Sequence, residues 1–325
     1  MKRKKMSELG EIGAIRRILR VLEPVIPEKP CLPIEDDVQA FDDCKLAVKI
    51  DGYSERMSRY PWERMSDWGW RAVTGPVSDL SAKGYKAIEM VYSLGVPKDE
   101  DIRRIEELVF GIREALKSYG VQFLGGDLNS SSGEIWIDVA IVGKLISTSP
   151  VPRSGAKPGD KVYTTLVNGY GKPGLLYKLY QTASWKNASP RLLRFRPSAV
   201  TSFPKIISAI SVSSAIDSSD GLAKSLKLLA ESSGVSIEIK KLPISNHMRA
   251  VLKKYEVGIE EATLFGGEEY EVIFTTKEPQ DRVIQACNNE RIKCVEIGEV
   301  LNGSGEVLYK GKKIAGIGWD HFISP

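Results

Sequence analysis

Two hydrophobic periods alternate along this chain, and their interleaving constrains the fold more than any other feature. Apolar residues recur at helical spacing as Leu9, Ile12, Ile15, Leu19 and Leu22, a face that ends before Pro24. They recur again as Ile102, Ile105, Val109, Ile112 and Leu116, closed by Gly120. Elsewhere the period falls to two. Leu46, Val48 and Ile50 alternate with Ala47 and Lys49 and deliver Asp51 at a strand end, and Ile135, Ile137, Val139 and Ile141 alternate over a later strand. The second half repeats the mixture. A strand pattern runs from Lys161 to Val167. Ser214 to Ile216 precedes a helix with Leu222, Leu226, Leu229 and Ala230 on one side, ended by Gly234, and Val235, Ile237 and Ile239 alternate after it. Helices and strands interleaved in both halves predict an α/β (α+β) protein. A chain of 325 residues can bury two cores. The Lys-, Pro- and Gly-rich run from Val151 to Asp160 reads as the link, so the expected domains are residues 1–148 and 149–325.

Charge and composition narrow the chemistry. A net charge of +4 is small for this length and calls for no nucleic-acid partner, while it suits an anionic substrate. The basic tail Lys2 to Lys5 is followed by no apolar segment of the secretory kind, and no uncharged stretch approaches the ~20 residues of a membrane span. The expectation is a cytoplasmic protein with no membrane partner. Cys31, Cys44, Cys287 and Cys294 form no C-x-x-C pair and are expected as reduced thiols. The two histidines, His247 and His321, lack metal-ligand spacing, which argues against a zinc site or a Ser-His-Asp hydrolase. The chemistry falls to carboxylates, backbone amides, lysines and arginines.

Four acidic segments stand where elements begin or end: Glu35-Asp36-Asp37, Val77-Ser78-Asp79-Leu80-Ser81, Gly125-Gly126-Asp127 and Asp217-Ser218-Ser219-Asp220-Gly221. A single Asp at a turn commonly caps a helix. The last segment offers more. Asp217 ends a strand, Ser219 and Asp220 open a helix, and two carboxylates three residues apart can hold a hard cation beside amides that favour phosphate. Gly125-Gly126-Asp127 offers close backbone approach and a carboxylate at a second strand end. Gly266-Gly267-Glu268-Glu269-Tyr270-Glu271 is either a solvated loop or a contact for a cationic or hydroxyl-bearing substrate. No P-loop, Rossmann or protein-kinase signature is present. Ser66 is placed to cap a helix carrying Trp68, Trp70 and Val73, which Gly75-Pro76 is expected to interrupt before it resumes towards Gly84.

Taken in order, these segments resemble the thiamine-monophosphate kinase family of the aminoimidazole ribonucleotide synthetase superfamily, nearly end to end. Glu8-Leu-Gly-Glu11, Glu35-Asp-Asp37, Asp51, Gly69-Trp-Arg-Ala-Val73 and Ser78-Asp-Leu-Ser-Ala-Lys-Gly84 are similar to its motifs, as are Gly125-Gly-Asp127, Arg153-Ser-Gly-Ala-Lys-Pro-Gly-Asp160, Asp217-Ser-Ser-Asp-Gly-Leu222, Gly266-Gly-Glu-Glu-Tyr-Glu271 and the closing Gly318-Trp-Asp-His-Phe322. The resemblance implies an N-terminal ATP- and metal-binding domain whose sheet pairs across a homodimer, and a C-terminal domain completing the active site. It implies transfer of the ATP γ-phosphoryl group to thiamine monophosphate. Asp36, Asp51, Asp79, Asp127, Asp217 and Asp220 would hold Mg2+, with Asp217 and Asp220 at the reacting centre. Gly126, Asp127, Arg153 and Ser219 would contact the nucleotide, and Glu268 and Trp319 the thiamine end.

The chain also departs from the family. Lys49 and Ile50 stand in place of paired threonines, Glu35 in place of glycine, and Lys83 and Tyr85 in place of Met and Ala. The stretch Gly52 to Tyr60 has no histidine; its Arg56 and Arg59 read either as phosphate contacts or as surface charges. Two other readings stand beside the kinase: another ATP-dependent ligase or cyclase of the superfamily, and a nucleotide-binding regulatory protein without turnover.

Overall fold

The computed structural model describes residues 5–314 and residue 322. Two sheets organise the chain. The first comprises β1 (Gln39–Phe41), β2 (Leu46–Ser54), β3 (Tyr85–Pro97), β4 (Gln122–Ser131) and β5 (Trp136–Leu145), in the order β1-β2-β5-β3-β4. Its pairs are antiparallel except β3 with β4, and that parallel pair needs a crossover. The second sheet comprises β6 (Lys161–Thr165), β7 (Ser214–Asp217), β8 (Ser236–Ile239), β9 (Val272–Thr276), β10 (Cys294–Leu301), β11 (Val307–Tyr309) and β12 (Lys312–Lys313), in the order β12-β11-β8-β10-β6-β9-β7. The helices that matter below are α1 (Gly10–Leu22), α2 (Glu55–Ser58), α3 (Met65–Ala82), α4 (Ile102–Tyr119), α5 (Lys172–Gln181), α6 (Pro190–Leu193), α7 (Phe203–Ala209) and α8 (Leu222–Ser233). Mixed α/β architecture in two units is therefore observed. Among the described residues no helix is long and apolar enough to cross a membrane.

Helix α4 provides the β3–β4 crossover. It begins where the Asp101 carboxylate accepts from the Arg103 N–H and ends at Gly120 in the left-handed conformation. Helix α8 likewise closes on left-handed Gly234. Helix α3 differs. Trp68, Ala72, Val73, Val77 and Leu80 are fully buried, and so are Thr74, Ser78 and Lys83 around it. A helix buried all round lies between layers rather than on a surface. Its leading part packs in the core of the first sheet, while Ala82 at its end joins the core of the second.

Several sequence expectations are corrected here. Helix α3 starts at Met65 without a side-chain cap and runs unbroken through Gly75-Pro76. Ser66 instead donates to Glu107 (3.2 Å). Glycine at 75 is a matter of approach: a Cβ there would lie 2.3 Å from the Tyr53 hydroxyl and 3.2 Å from an Asp51 oxygen. Strand β2 continues to Ser54, so Asp51 is mid-strand, and β4 continues to Ser131, so Gly125-Gly126-Asp127 is mid-strand too. The cysteines are paired, Cys31 with Cys44 and Cys287 with Cys294, with Cα–Cα distances of 5.6 and 6.2 Å. A search for C-x-x-C misses such pairs because chain reversals, not local spacing, bring the partners together.

The first sheet also turns its apolar alternation outward. On β2 the buried residue is Ala47, and Val48 and Ile50 are exposed, Ile50 at 63%. In register Ile50 lies beside Ala140 and Ala140 beside Val91, so these three share the outward face. Ala47, Lys49 and Asp51 therefore face α3.

Candidate active site

A cleft of about 1570 Å3 runs between the two sheets and the ends of α3 and α8. One end is acidic. Strand β2 contributes Asp51, helix α3 contributes Asp79, and the strand-to-helix turn after β7 contributes Ser219 and Asp220. The segment before β1 contributes Asp36 and Asp37. Asp217 lies just behind, buried, where the Ser78 hydroxyl donates to its carboxylate (2.7 Å). So five of the six aspartates expected as metal ligands converge: Asp36, Asp51, Asp79, Asp217 and Asp220.

The sixth does not. Ser93 pairs in register with both Asp127 and Asp138, and Asp138 with Gly52, which places Asp127 on the outward face of the sheet, opposite to Asp51. Asp127 is exposed there, held by the Asn129 amide (2.6 Å). Gly126 serves packing, since a Cβ at that position would lie 2.5 Å from the Tyr92 carbonyl oxygen. Neither residue lines the cleft of this single chain. Trp319 falls outside the described residues.

The acidic end carries its own cations. Lys49 Nζ sits 3.1 Å from Asp51 and 2.9 Å from Asp79. Lys83 Nζ, fully buried, sits 2.8 Å from Asp36 and 2.8 Å from Asp37, and donates to the Ala215 carbonyl (2.5 Å). Lys224 pairs with Asp220 (2.6 Å). Arg153 docks on the Glu35–Asp37 segment, its N–H donating to Asp36 (2.8 Å), one guanidinium nitrogen to Asp37 (3.0 Å) and another to the Glu35 carbonyl. These residues link both halves of the chain through charge.

Burial and mutual repulsion set the carboxylates' protonation. Asp217 is pushed up to about 7, chiefly by desolvation and then by the Asp37 charge, against the Ser78 and Asp79 hydrogen bonds. Desolvation also raises Asp79 and Asp51, although Lys49 pulls both down. Burial raises Asp37 too, but there Lys83 and Arg153 prevail and its carboxyl lies below the usual range. These groups are all oxygen donors, which suits a hard cation. Among the described residues no three of them stand close enough to hold one ion together. Magnesium commonly uses one or two carboxylates and completes its shell with phosphate oxygens and water. The donor set fits Mg2+ in that manner.

The other end is aromatic. Tyr60, Tyr177, Tyr180 and Phe195 line it. Tyr60 stacks on Trp62 with centroids 4.6 Å apart and planes 7° apart, and meets Tyr180 edge-on at 5.7 Å. Glu268 lies between the two ends. It pairs with Arg71, which Glu63 also holds from Nε (2.7 Å) and Nη2 (2.8 Å). Burial raises the Glu268 carboxyl despite Arg71. Its neighbours are no solvated loop. Glu269 and Glu271 are fully buried, Glu269 accepting from Ser218 (3.0 Å) and Gly267 (3.1 Å), and Glu271 from Thr165 (2.5 Å) and the Asn168 and Gly169 amides. Arg56 and Arg59 border the cleft but are engaged by protein. Arg56 donates to the Gly133 carbonyl (3.0 Å), and Arg59 pairs with Glu55 (2.8 Å) and donates to the Glu63 carbonyl (2.5 Å).

Sequence reasoning missed Lys49, Lys83, Lys224, Arg71 and Tyr60 as site residues. A signal existed for Lys49, a charge on the same strand face as Asp51, and for Lys83, a charge closing an otherwise apolar helix. None marked Arg71 or Tyr60, whose partners across the cleft, Glu268 and Tyr180, lie far away in the chain.

Residues 35–145 match the family described as AIR synthase related protein, N-terminal domain, and residues 157–311 match its C-terminal domain. The thiamine-monophosphate kinase of Aquifex aeolicus (strain VF5) is 34% identical over 258 residues, which cover 78% of this chain and 80% of that protein. The thiamine-monophosphate kinase of Pyrobaculum calidifontis is 30% identical over 288 residues, covering 89% and 90%. A solved structure described as AaThiL complexed with AMPPCP and TMP matches with a TM-score of 0.85 at 31% identity, covering 99% of this chain and all of that one (100%). With the same domains in the same order and a cleft of this chemistry between them, the chain belongs to the AIR synthase related proteins and, within them, to the thiamine-monophosphate kinase family.

Proposed function

We propose that the chain transfers the γ-phosphoryl group of ATP to the phosphate of thiamine monophosphate, forming thiamine diphosphate and ADP. The observation that carries this reading is the cleft's polarity. One end gathers six aspartates and the other is walled by aromatic rings, which matches a polyphosphate joined to a cationic ring system. The related structure that shares this fold was solved with AMPPCP and TMP.

The reaction suits a site without histidine. An oxygen of the acceptor phosphate, already anionic at neutral pH, attacks the γ-phosphorus, and the bond to the β–γ bridging oxygen breaks to release ADP. No side chain need remove a proton. What remains is alignment and neutralisation of charge on the transferred group. Mg2+ would supply part of that neutralisation, with Asp36, Asp51, Asp79, Asp217 and Asp220 offering one or two carboxylates to an ion and phosphate oxygens and water completing its shell. Ser219 and the amides opening α8 face phosphate oxygens, and Arg153 orders the Glu35–Asp37 segment while reaching towards the nucleotide. The rings of Tyr60 and Tyr180 offer faces and edges to a thiazolium, a contact worth about 0.5–2 kcal/mol. Glu268, oriented by Arg71, adds a negative charge near that cation.

A homodimer follows from the outward face of the first sheet. Val48, Ile50 and Val91 lie exposed on a sheet whose opposite face is already covered by helices, and a second copy would bury them. Asp127 and Gly126 then stand beside that interface, where they serve nucleotide bound against the partner. Residues 1–148 act as the nucleotide-binding and dimerising unit and 149–325 complete the site, in a cytoplasmic enzyme. The test is incubation of the purified protein with ATP, Mg2+ and thiamine monophosphate, with thiamine diphosphate as the expected product. No product from a protein that still binds ATP would refute the acceptor.

A further inference from the structure

The ammonium of Lys49 occupies a position that a free cation would otherwise take. Its nitrogen bridges one oxygen of Asp51 and one of Asp79, at 3.1 and 2.9 Å. Both carboxylates are among those assigned to magnesium. A Mg2+ ion draws its oxygens to about 2.0–2.1 Å, so ion and ammonium cannot share this seat.

The lysine is also held there. Position 49 is mid-strand in β2, opposite Ile141 of β5, and its side chain points to α3 on the same face as buried Ala47. Only a fifth of that side chain is exposed, 20%, through the cleft it lines. Leaving the seat would strand Asp51 and Asp79 beside each other without a counter-charge while the ammonium found no other carboxylate pair on its strand. A buried pair broken on one side leaves an uncompensated charge and is costly.

The surrounding charge points the same way. Asp36, Asp37, Asp51, Asp79, Asp217 and Asp220 supply six carboxylates, and Lys49, Lys83, Lys224 and Arg153 answer four of them. Two negative charges remain among these six if Asp217 is ionised, and Glu11 also draws on Lys224 (3.2 Å), so the cleft keeps a net negative charge for a divalent ion before the nucleotide brings its own. A lysine-free arrangement at position 49 would leave three.

We propose that Lys49 is a tethered cation filling the seat between Asp51 and Asp79, so that this chain binds one divalent ion fewer per site than it would with a neutral residue there. The inference rests on the reading of the cleft as a magnesium–nucleotide site and specifies how that site is charged. The tethered charge is present at every magnesium concentration, so nucleotide binding depends less steeply on the metal than in a site built only of carboxylates. It also stands where it can touch a phosphate oxygen from the cleft side. Lys49 is a positioning and neutralising residue, distinct from the aspartates that hold the ion.

The experiment counts Mn2+ bound per chain by electron paramagnetic resonance, with and without the β,γ-methylene analogue of ATP. Lys49→Thr is expected to bind one more Mn2+ per chain than the wild type, and its melting temperature to rise more when Mg2+ is added. Lys49→Arg, which keeps the charge, is expected to keep the wild-type count. Lys49→Met preserves the bulk of the stem and is counted in the same way should the threonine variant fail to fold. Equal counts in the wild type and the neutral variants overturn the proposal, and so does loss of an ion from Lys49→Thr. The count needs no turnover. A wild-type protein that binds metal and nucleotide but forms no thiamine diphosphate refutes the acceptor proposed above and leaves the ion count to be judged independently.

Discussion

Lys83 carries the most exacting claim about how this site is held together, and Lys83→Met tests it. The side chain is fully buried at the end of α3, and its ammonium meets Asp36 and Asp37 at 2.8 Å each and the Ala215 carbonyl at 2.5 Å. Methionine has nearly the same length and removes only the charge, with its two ion pairs and the hydrogen bond to Ala215. The wild-type triad itself adds little net stability, because burying three charges offsets most of their attraction. Removing one member is different: two carboxylates and a carbonyl are left desolvated, with Arg153 alone to answer Asp37. Cases of this kind cost about 3–5 kcal/mol, or a fall of roughly 6–20 °C in Tm at 2–4 °C per kcal/mol. The pH dependence has a definite sign. Burial acts to lower the lysine, but Asp37 and Asp36 outweigh it and its folded pKa is raised, so its contribution is complete below 10.5 and unchanged between pH 6 and 9. In the variant, the stranded carboxylates gain protons as the pH falls, and the deficit shrinks towards pH 5. Urea denaturation of both proteins at pH 5 and pH 7.5 reads this directly. A variant within 1 kcal/mol of the wild type at pH 7.5, on the order of the net worth of one ordinary hydrogen bond, would refute the reasoning.

Two further outcomes follow from the same structure. Asp217→Asn keeps an acceptor for the Ser78 hydroxyl but removes a carboxylate from the metal cluster, so phosphoryl transfer is expected to fall by at least about 100-fold with little loss of stability; a normal rate would dismiss the residue as a ligand. Glu269 is pushed up to about 8 by burial, against its hydrogen bonds from Gly267 and Ser218. A raised carboxyl favours folding fully below the unfolded value of 4.5 and loses that advantage as the pH climbs to 8. Glu269→Gln, neutral throughout, is therefore expected to match the wild type at pH 4 and exceed its unfolding free energy at pH 8.5; equal stability at both values would show that Glu269 is solvated.

The parts of the fold legible in the sequence are those whose cause is local. Left-handed Gly120 and Gly234 end α4 and α8 where the pattern placed them, because a glycine stop acts within one turn. Asp217 stands at the end of β7 for a comparable reason: a buried strand followed by a polar turn and an amphipathic helix is a short-range signal. Helix α3 was read as broken because Gly75-Pro76 weakens any isolated helix. Its continuity comes from burial on all sides, and Gly75 is needed where Tyr53 and Asp51 approach from another strand. The disulfide pairs and the outward face of β2 were hidden in the same way, since periodicity shows that a strand has two faces and not which one meets the helices.

The site divides along that line as well. Motifs located the aspartates because each belongs to a short acidic segment or strand pattern visible in the sequence, but no motif shows which charges answer them. Lys49 and Lys83 are departures from the family's motifs in the sequence. In the fold they are the groups that let Asp36, Asp37, Asp51 and Asp79 crowd together in a poorly solvated cleft. Asp217, which makes no direct ion pair among the described residues, is pushed up to about 7 by desolvation and the Asp37 charge, with the more distant Lys49 acting against them. The contrast is physical. Lys83 and Arg153 hold Asp37 below the usual carboxylate range, whereas desolvation raises Asp79 and Asp51 even with the Lys49 ammonium beside them. Asp217, beside Asp79 and close to the opening of α8, makes no ion pair among the described residues, so its substitution by asparagine is the sharpest test of the proposed magnesium site.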